Sequence, residues 1–161
     1  MTQIRKMSRF VSVLAVGLTL AFTSAAFAAS NSAFLGTWKL NLAKSKSSAA
    51  LPLSSTYVVE AAGEGIKSTQ DSVSAKGLKN HGTYTANFDG KTYPRVGSSL
   101  FSSIAFTRVN ANSYTFVSKG KTTTRNGTTV ISADGKTRTE TAIDKNADGT
   151  TSTLTGVYDK Q

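Results

Sequence analysis

Short runs of alternating apolar and polar residues fill the sequence after residue 33, and they constrain its fold more than any other feature. The run Ser54–Ala61 puts Tyr57 and Val59 on one face, and the run His81–Phe88 puts Tyr84, Ala86 and Phe88 on one face. Alternation with a period of two is the pattern of a β-strand, whose successive side chains point to opposite faces. No segment shows sustained helical periodicity. The sequence therefore predicts an all-β fold.

Glycine-rich turns divide these runs into about ten strands. Asp89-Gly90 has the composition of a two-residue hairpin turn, and Asn126-Gly127 interrupts a longer run as either a bulge or a tight turn. The connections are short, so we expect a single antiparallel up-and-down β-barrel, which hides its strand edges by closing. The predicted strands span residues 34–41, 54–61, 66–75, 81–88, 91–96, 104–109, 113–119, 121–132, 136–143 and 151–159.

The first strand carries the chain's only tryptophan. In the stretch F-L-G-T-W-K-L-N, Gly36 and Trp38 share a face with Phe34 and Leu40. A tryptophan buries roughly 150–250 Å² of surface, and a glycine two residues earlier allows another group to approach closely. We therefore assign Gly36 and Trp38 to the closure of the barrel. Trp38 is expected to cap one end, and the first and last strands are expected to pair.

Residues 1–28 have the three parts of a secretory signal. Arg5, Lys6 and Arg9 precede an apolar run from Phe10 to Phe22, and A-F-A at positions 26–28 is a typical cleavage pattern. Cleavage there would leave residues 29–161 as one lipocalin-like β-barrel domain of 133 residues (161 − 28). We predict a periplasmic or secreted protein. Without cysteine, its fold must be stable without disulfides.

The formal net charge is +10, and it falls to +7 once Arg5, Lys6 and Arg9 are removed. The remaining basic residues are scattered, with no run longer than K-S-K at 44–46 or K-G-K at 119–121. Scattered lysines on a predicted exported domain indicate a solvated basic surface. We expect no nucleic-acid partner, and at most weak contact with anionic envelope surfaces.

The faces of the predicted strands are rich in serine and threonine, which would leave a barrel interior under-filled and favours a ligand cavity. A solid core is the other reading, because threonine favours strands regardless of function. Arg108 alternates with Phe106 and could point inward as an anion-binding group, or it could be solvated at the strand end. The residues assigned to ligand binding are Tyr84, Phe106, Arg108, Phe116 and Tyr158.

The sequence offers little to an enzyme or a metal site. His81 is the only histidine, and neither paired catalytic carboxylates nor a G-x-S-x-G motif is evident. Asp144–Gly149 matches the first half of a calcium loop, but position twelve is Thr155 rather than glutamate. A hairpin turn explains the same residues. We therefore expect no catalytic residue, no metal and no cofactor.

Both ends of the predicted barrel resemble the calycin superfamily, and more narrowly the intracellular fatty-acid-binding proteins. F-L-G-T-W-K-L at Phe34–Leu40 is similar to the start of that family, and T-G-V-Y-D-K at Thr155–Lys160 is similar to its terminal strand. The resemblance implies a barrel that holds an apolar or amphipathic ligand. It also implies an arginine stacked across Trp38, for which Arg125 and Arg138 are the candidates.

Two departures separate this chain from the fatty-acid-binding proteins. Ala43–Leu53 is too short for their helix-turn-helix lid, and Gly156 replaces the arginine that holds a ligand carboxylate, while Tyr158 keeps the position of its tyrosine partner. The chain therefore resembles an exported bacterial lipocalin-like protein more closely. With Arg108 as the replacement cation, we expect weak, broad binding of apolar probes rather than tight fatty-acid binding.

Two functions follow from these patterns. The first is a monomeric, non-catalytic binding protein that carries or sequesters a small apolar or amphipathic molecule inside the barrel. The second is a structural or interaction protein of the envelope, with a basic surface and a filled barrel. A cavity of roughly 300 Å³ or more would favour the first, and a packed interior would favour the second.

Overall fold

Eleven strands, ten of them around a closed ring, account for most of residues 31–161, the part of the chain that this computed structural model describes. The predicted signal, residues 1–28, lies outside that part. The strands are β1 (Gly36–Leu40), β2 (Lys46–Ser47), β3 (Ser54–Ala62), β4 (Gly65–Val73), β5 (Lys79–Ala86), β6 (Asp89–Val96), β7 (Ser103–Asn110), β8 (Ser113–Lys119), β9 (Thr123–Ile131), β10 (Thr137–Asn146) and β11 (Thr151–Lys160).

The ring closes through β1, which pairs with both β3 and β11. Trp38 lies opposite Tyr57 on one side and opposite Lys160 on the other. From β3 to β11, each strand pairs with the next in antiparallel order. The predicted up-and-down barrel and the predicted pairing of the first and last strands are both confirmed.

A short irregular segment continues β1 along β11. Leu42–Lys44 form one 3-10 turn, and the Asn41 side chain accepts a hydrogen bond from the backbone N–H of Lys44 at 3.2 Å. The two-residue strand β2 then pairs with Leu154 and Thr155. β2 is an additional strand, outside the ten that the sequence predicts. No helical lid occupies residues 43–53.

Two glycine turns are placed differently from the sequence prediction. Asp89 and Gly90 lie inside β6 rather than at the hairpin turn, which falls two residues earlier at 87–88. The Asp89 carboxylate accepts the Lys91 N–H at 3.0 Å, and Gly90 has φ 78°, so their turn geometry becomes an irregularity in the β6–β7 register. Gly127, by contrast, lies in regular pairing within β9, without a bulge or turn.

The end of the barrel formed by the β3–β4, β5–β6, β7–β8 and β9–β10 turns is filled, and we call it the closed end. Phe34, Phe88, Phe106 and Tyr114 pack there with ring centroids 4.8–5.5 Å apart. Buried Asn31 seals the plug by donating to the carbonyl oxygens of Glu64 and Gly65. Aromatic packing of this density leaves no room for a ligand at that end.

The opposite end is open, and we call it the mouth. It is formed by the β2–β3, β4–β5, β6–β7, β8–β9 and β10–β11 connections. None of the helices in residues 31–161 has the length and apolarity that a membrane-crossing helix requires. The fold thus places its packed core at one end and leaves the other for a site.

Candidate ligand-binding site

A cavity of about 370 Å³ opens at the mouth. Its wall is mainly apolar, and it is rich in hydroxyl groups along β3, β4 and the residue after β4. The apolar lining includes Leu40, Ala49, Ala50, Pro52, Ala75, Leu78, Leu100, Phe101 and Leu154, and the polar lining of this region includes Ser55, Gln70, Ser72 and Ser74. A concave, largely apolar site with a few polar groups is typical of small-molecule binding.

A layer of five side chains forms the floor of the cavity: Tyr57, Gln70, Arg95, Phe101 and Arg125. Beneath this layer lies an inner pocket of about 30 Å³, large enough for a single water molecule. The floor therefore separates a ligand-sized space from a packed interior. Whatever enters the mouth meets two guanidinium groups at its deepest point.

Two interior arginines are neutralised by interior carboxylates. Arg125 donates to both oxygens of Asp144, at 2.6 and 2.8 Å, and lies 3.8 Å from Glu140. Arg138 lies 3.4 Å from Glu140 on the other side. Burial alone would lower the pKa of Arg125, but the hydrogen bonds to Asp144 and the charge of Glu140 raise its pKa instead. The carboxylates of Glu140 and Asp144 are therefore both paired with arginines.

Arg95 has no carboxylate partner among residues 31–161. It is 9% exposed, donates from one terminal nitrogen to Gln70, and its Nε makes no hydrogen bond. The guanidinium lies over Tyr84 and Phe101, 5.6 and 5.9 Å from the ring centroids. Within residues 31–161, three interior arginines against two interior carboxylates leave one positive charge, and a buried cation without a counter-ion is costly. Arg95 therefore places an uncompensated positive charge at the floor of the cavity.

Tyr158 lies in the cavity wall, packed edge-on against Tyr57 at 5.3 Å. Burial raises the pKa of Tyr158 to about 12, so its hydroxyl stays protonated at neutral pH. Gly156 lets the ring pack closely against the strand, because a Cβ there would lie 3.0 Å from the Tyr158 ring and the ring would have to shift slightly.

The structure separates the residues that the sequence assigned to ligand binding. Tyr158 lines the cavity, whereas Tyr84, Phe106 and Phe116 surround the inner pocket below its floor. Arg108 lies at the closed end, donating to the Asn31 side chain, with its guanidinium 4.2 Å from the centroid of Phe88. Only Tyr158 among the five lines the mouth cavity, whose basic lining residues are Lys79, Arg95 and Arg125 rather than Arg108.

Trp38 is fully buried, and its indole N–H donates to the carbonyl oxygen of Phe34 at 3.0 Å. The cation across its ring is Lys160, at 5.1 Å, whereas Arg138 lies over Tyr57. The expected arginine stack is therefore wrong. The Lys160 stem runs past Gly36, where a Cβ would lie 2.7 Å from it. Gly36 and Trp38 thus both lie against Lys160 of the last strand.

Sequence reasoning missed the charged layer of the interior. Arg138, Glu140 and Asp144 point inward on β10, while the threonines between them face outward or lie at the wall. Alternation places Arg138, Glu140 and Asp144 on one face of β10. A face with this many charges is normally assigned to the exterior of a barrel. The opposite signs at positions 138 and 140 were the available signal that the charges pair inside.

No group of three or more metal-ligating side chains occurs in the described part of the chain. The acidic residues of the calcium-like segment make turn and strand contacts. Asp144 binds Arg125 within the barrel, and Asp148 accepts hydrogen bonds from the backbone and hydroxyl of Thr150, at 2.9 and 2.7 Å. A hairpin turn explains these residues.

Comparisons with known proteins show the fold. No protein-family model matches the sequence, and no curated protein sequence matches it. The solved structure of an S-type phycobiliprotein lyase from Guillardia theta matches with a TM-score of 0.55 and 10% identity, over 81% of this chain and 89% of the lyase. A zebrafish ileal bile acid-binding protein in complex with cholic acid, at 16% identity over 80% of this chain and 99% of that one, has a TM-score of 0.48 and supports no conclusion. The chain has a calycin-like β-barrel fold.

Proposed function

We propose that this protein is a non-catalytic binding protein that carries or sequesters a small amphipathic molecule in the mouth cavity. The observation that carries the proposal is the cavity itself, whose volume of about 370 Å³ exceeds the roughly 300 Å³ at which ligand sites begin. A structural protein with a filled barrel would not need this space.

The lining specifies what kind of molecule fits. The apolar body of the ligand lies against Leu78, Leu100 and Leu154 near the mouth, and its polar end reaches Arg95 at the floor. A negatively charged end group offsets the positive charge of Arg95 and accepts a hydrogen bond from the guanidinium, which has no carboxylate partner among residues 31–161. The Tyr158 hydroxyl lies in the same wall as a neutral donor. A charge-assisted hydrogen bond of this kind contributes roughly 1.5–3 kcal/mol.

A matched pair of fluorescent dyes tests the proposal. Anilinonaphthalene sulfonate and phenylnaphthylamine share one apolar skeleton, and only the first carries an anionic group. We expect both dyes to bind the wild-type protein. Changing Arg95 to Met keeps an apolar stem against Phe101, so it should weaken the sulfonate dye by about tenfold or more and the uncharged dye by less than about twofold.

The control for this experiment is Arg108→Met, which removes an arginine from the closed end. It should leave the affinity for both dyes unchanged at a temperature where circular dichroism shows a folded barrel. Equal loss of both dyes in Arg95→Met would contradict the anionic end group, and failure of the wild type to bind either dye would contradict the binding function.

We further propose that the protein is exported, with cleavage after Ala28. Support comes from the basic, apolar and A-F-A succession of residues 1–28. N-terminal sequencing of protein from the periplasmic fraction or the medium should begin at Ala29. Recovery of the intact chain from the cytosol would refute export.

A further inference from the structure

The exposed apolar side chains gather at the mouth. Leu53, Leu78 and Leu100 are 57%, 68% and 47% exposed, and each lies on a different connection of that end. Val96, at the mouth end of β6, is 67% exposed. Residues 31–161 contain nine large hydrophobic side chains that are exposed. These four lie at the mouth, and the other five are spread over the wall and the closed end. A concentration of exposed apolar side chains at one end of a protein marks an interaction surface.

Hydrogen bonds fix two of these connections to the strand ends beside the connection that carries Leu78. The N–H of Leu53 donates to the carbonyl oxygen of Val73, the last residue of β4, at 2.8 Å. The N–H of Ser99 donates to the side chain of Asn80, near the start of β5, at 2.9 Å. The three leucines therefore lie on neighbouring connections of one rim, and we call this rim with its flanking lysines the mouth surface.

The same connections carry an excess of lysine. The mouth turns and the strand residues that flank them contain Lys76, Lys79, Lys119 and Lys121 against Asp148, a side-chain charge of +3 (+4 − 1). All five side chains are exposed. The corresponding positions at the closed end contain a side-chain charge of −1 (+2 − 3), from Lys136, Lys160, Glu64, Asp89 and Asp134.

We propose that the mouth surface docks on an anionic lipid surface, with the leucines entering the interfacial region and the lysines facing the headgroups. Exposed leucines next to lysines are the combination by which monotopic proteins bind such surfaces. A second copy of the chain is a poorer occupant, because two mouth surfaces of charge +3 would repel each other. Docking would place the open cavity directly against the lipid. This proposal concerns the exterior of the barrel and does not require the ligand of the cavity to be known.

Vesicle binding tests the docking. The chain is expressed from residue 29, because the apolar segment 10–22 would itself bind lipid, and this form keeps the plug and every strand of the closed barrel. Vesicles of phosphatidylglycerol with phosphatidylcholine are compared with phosphatidylcholine alone, by flotation. We expect binding to the anionic vesicles that weakens as salt is raised, and little binding to the neutral ones.

Variants that leave the cavity lining untouched identify the surface. Lys76→Gln combined with Lys121→Gln should lower the affinity for anionic vesicles about tenfold or more, and Leu53→Ser should lower it several-fold. The matched closed-end variants, Lys136→Gln and Val109→Ser, should leave it unchanged. The proposal is overturned if the closed-end variants weaken vesicle binding as much as the mouth variants do. It is also overturned if the wild-type protein does not bind anionic vesicles, or if the mouth surface instead forms dimers of the protein. Dye binding by the same variants reports separately on the cavity.

Discussion

Three buried tyrosines make the stability of this barrel sensitive to alkaline pH. Burial raises the pKa of both Tyr114 and Tyr158 to about 12, and it raises the pKa of Tyr57 well above its usual value of 10. In the unfolded chain these hydroxyls ionise near pH 10. Because the folded state holds its protons more tightly, the stabilisation is complete below pH 10 and is lost as pH rises toward 12.

We expect the free energy of unfolding to fall by about 1.3 kcal/mol for each of Tyr114 and Tyr158 between pH 9 and pH 11. Urea unfolding at the two pH values measures the fall. Tyr158→Phe keeps the ring against Tyr57 and removes the ionisable group. In this variant the fall in the free energy of unfolding should be smaller by about 1.3 kcal/mol. An unchanged fall in that variant would show that Tyr158 does not titrate with unfolding.

Arg95 and Arg108 show what a sequence can say of single residues. Both were visible as arginines in short alternating strands, and a strand-end position does not tell whether the side chain meets a cavity or a plug. The surroundings of Arg108 are set by Asn31 and Phe34, which precede the first strand and contact Arg108 at the closed end. Such contacts join residues far apart in the chain, so alternation could not reveal them.

Strand β9 illustrates the same limit for a whole element. Asn126-Gly127 suggested a bulge or a turn, yet the strand runs straight through it. The glycine is required by packing instead: a Cβ at position 127 would lie 2.5 Å from the Phe116 ring and 2.6 Å from the carbonyl oxygen of Thr141. A missing side chain in a strand can therefore report a close neighbour rather than a break in pairing.

Changing Gly127 to Val should destabilise the barrel by about 1–3 kcal/mol, because the added side chain forces Phe116 and β10 apart. Thermal unfolding followed by circular dichroism provides the measurement. Thr128→Val, one residue further along β9 and on the outer face, is the matched control and should change the stability by less than about 0.5 kcal/mol. Equal effects at the two positions would mean that Gly127 is not in close contact.

At the scale of the whole molecule, the sequence predicted the architecture well. All ten predicted strands match observed strands to within three residues at each end, because alternation and glycine turns are local signals. Closure through β1 and β11 also followed, since a meander with short connections has few other ways to hide its edges. The division into a packed end and an open mouth did not follow, because it depends on which side chains meet in the interior.

Both ends of the described chain lie on the side away from the mouth. Asn31 is sealed into the closed end, and the backbone N–H of Gln161 donates to Thr37 at 3.0 Å beside it. A tag, a fluorophore or a sensor chip attached at either end would therefore hold the barrel by its base, with the opening directed into solution. A second protein fused at either end would also lie at the closed end. The barrel can therefore be displayed with its mouth exposed and the residues of the mouth unchanged.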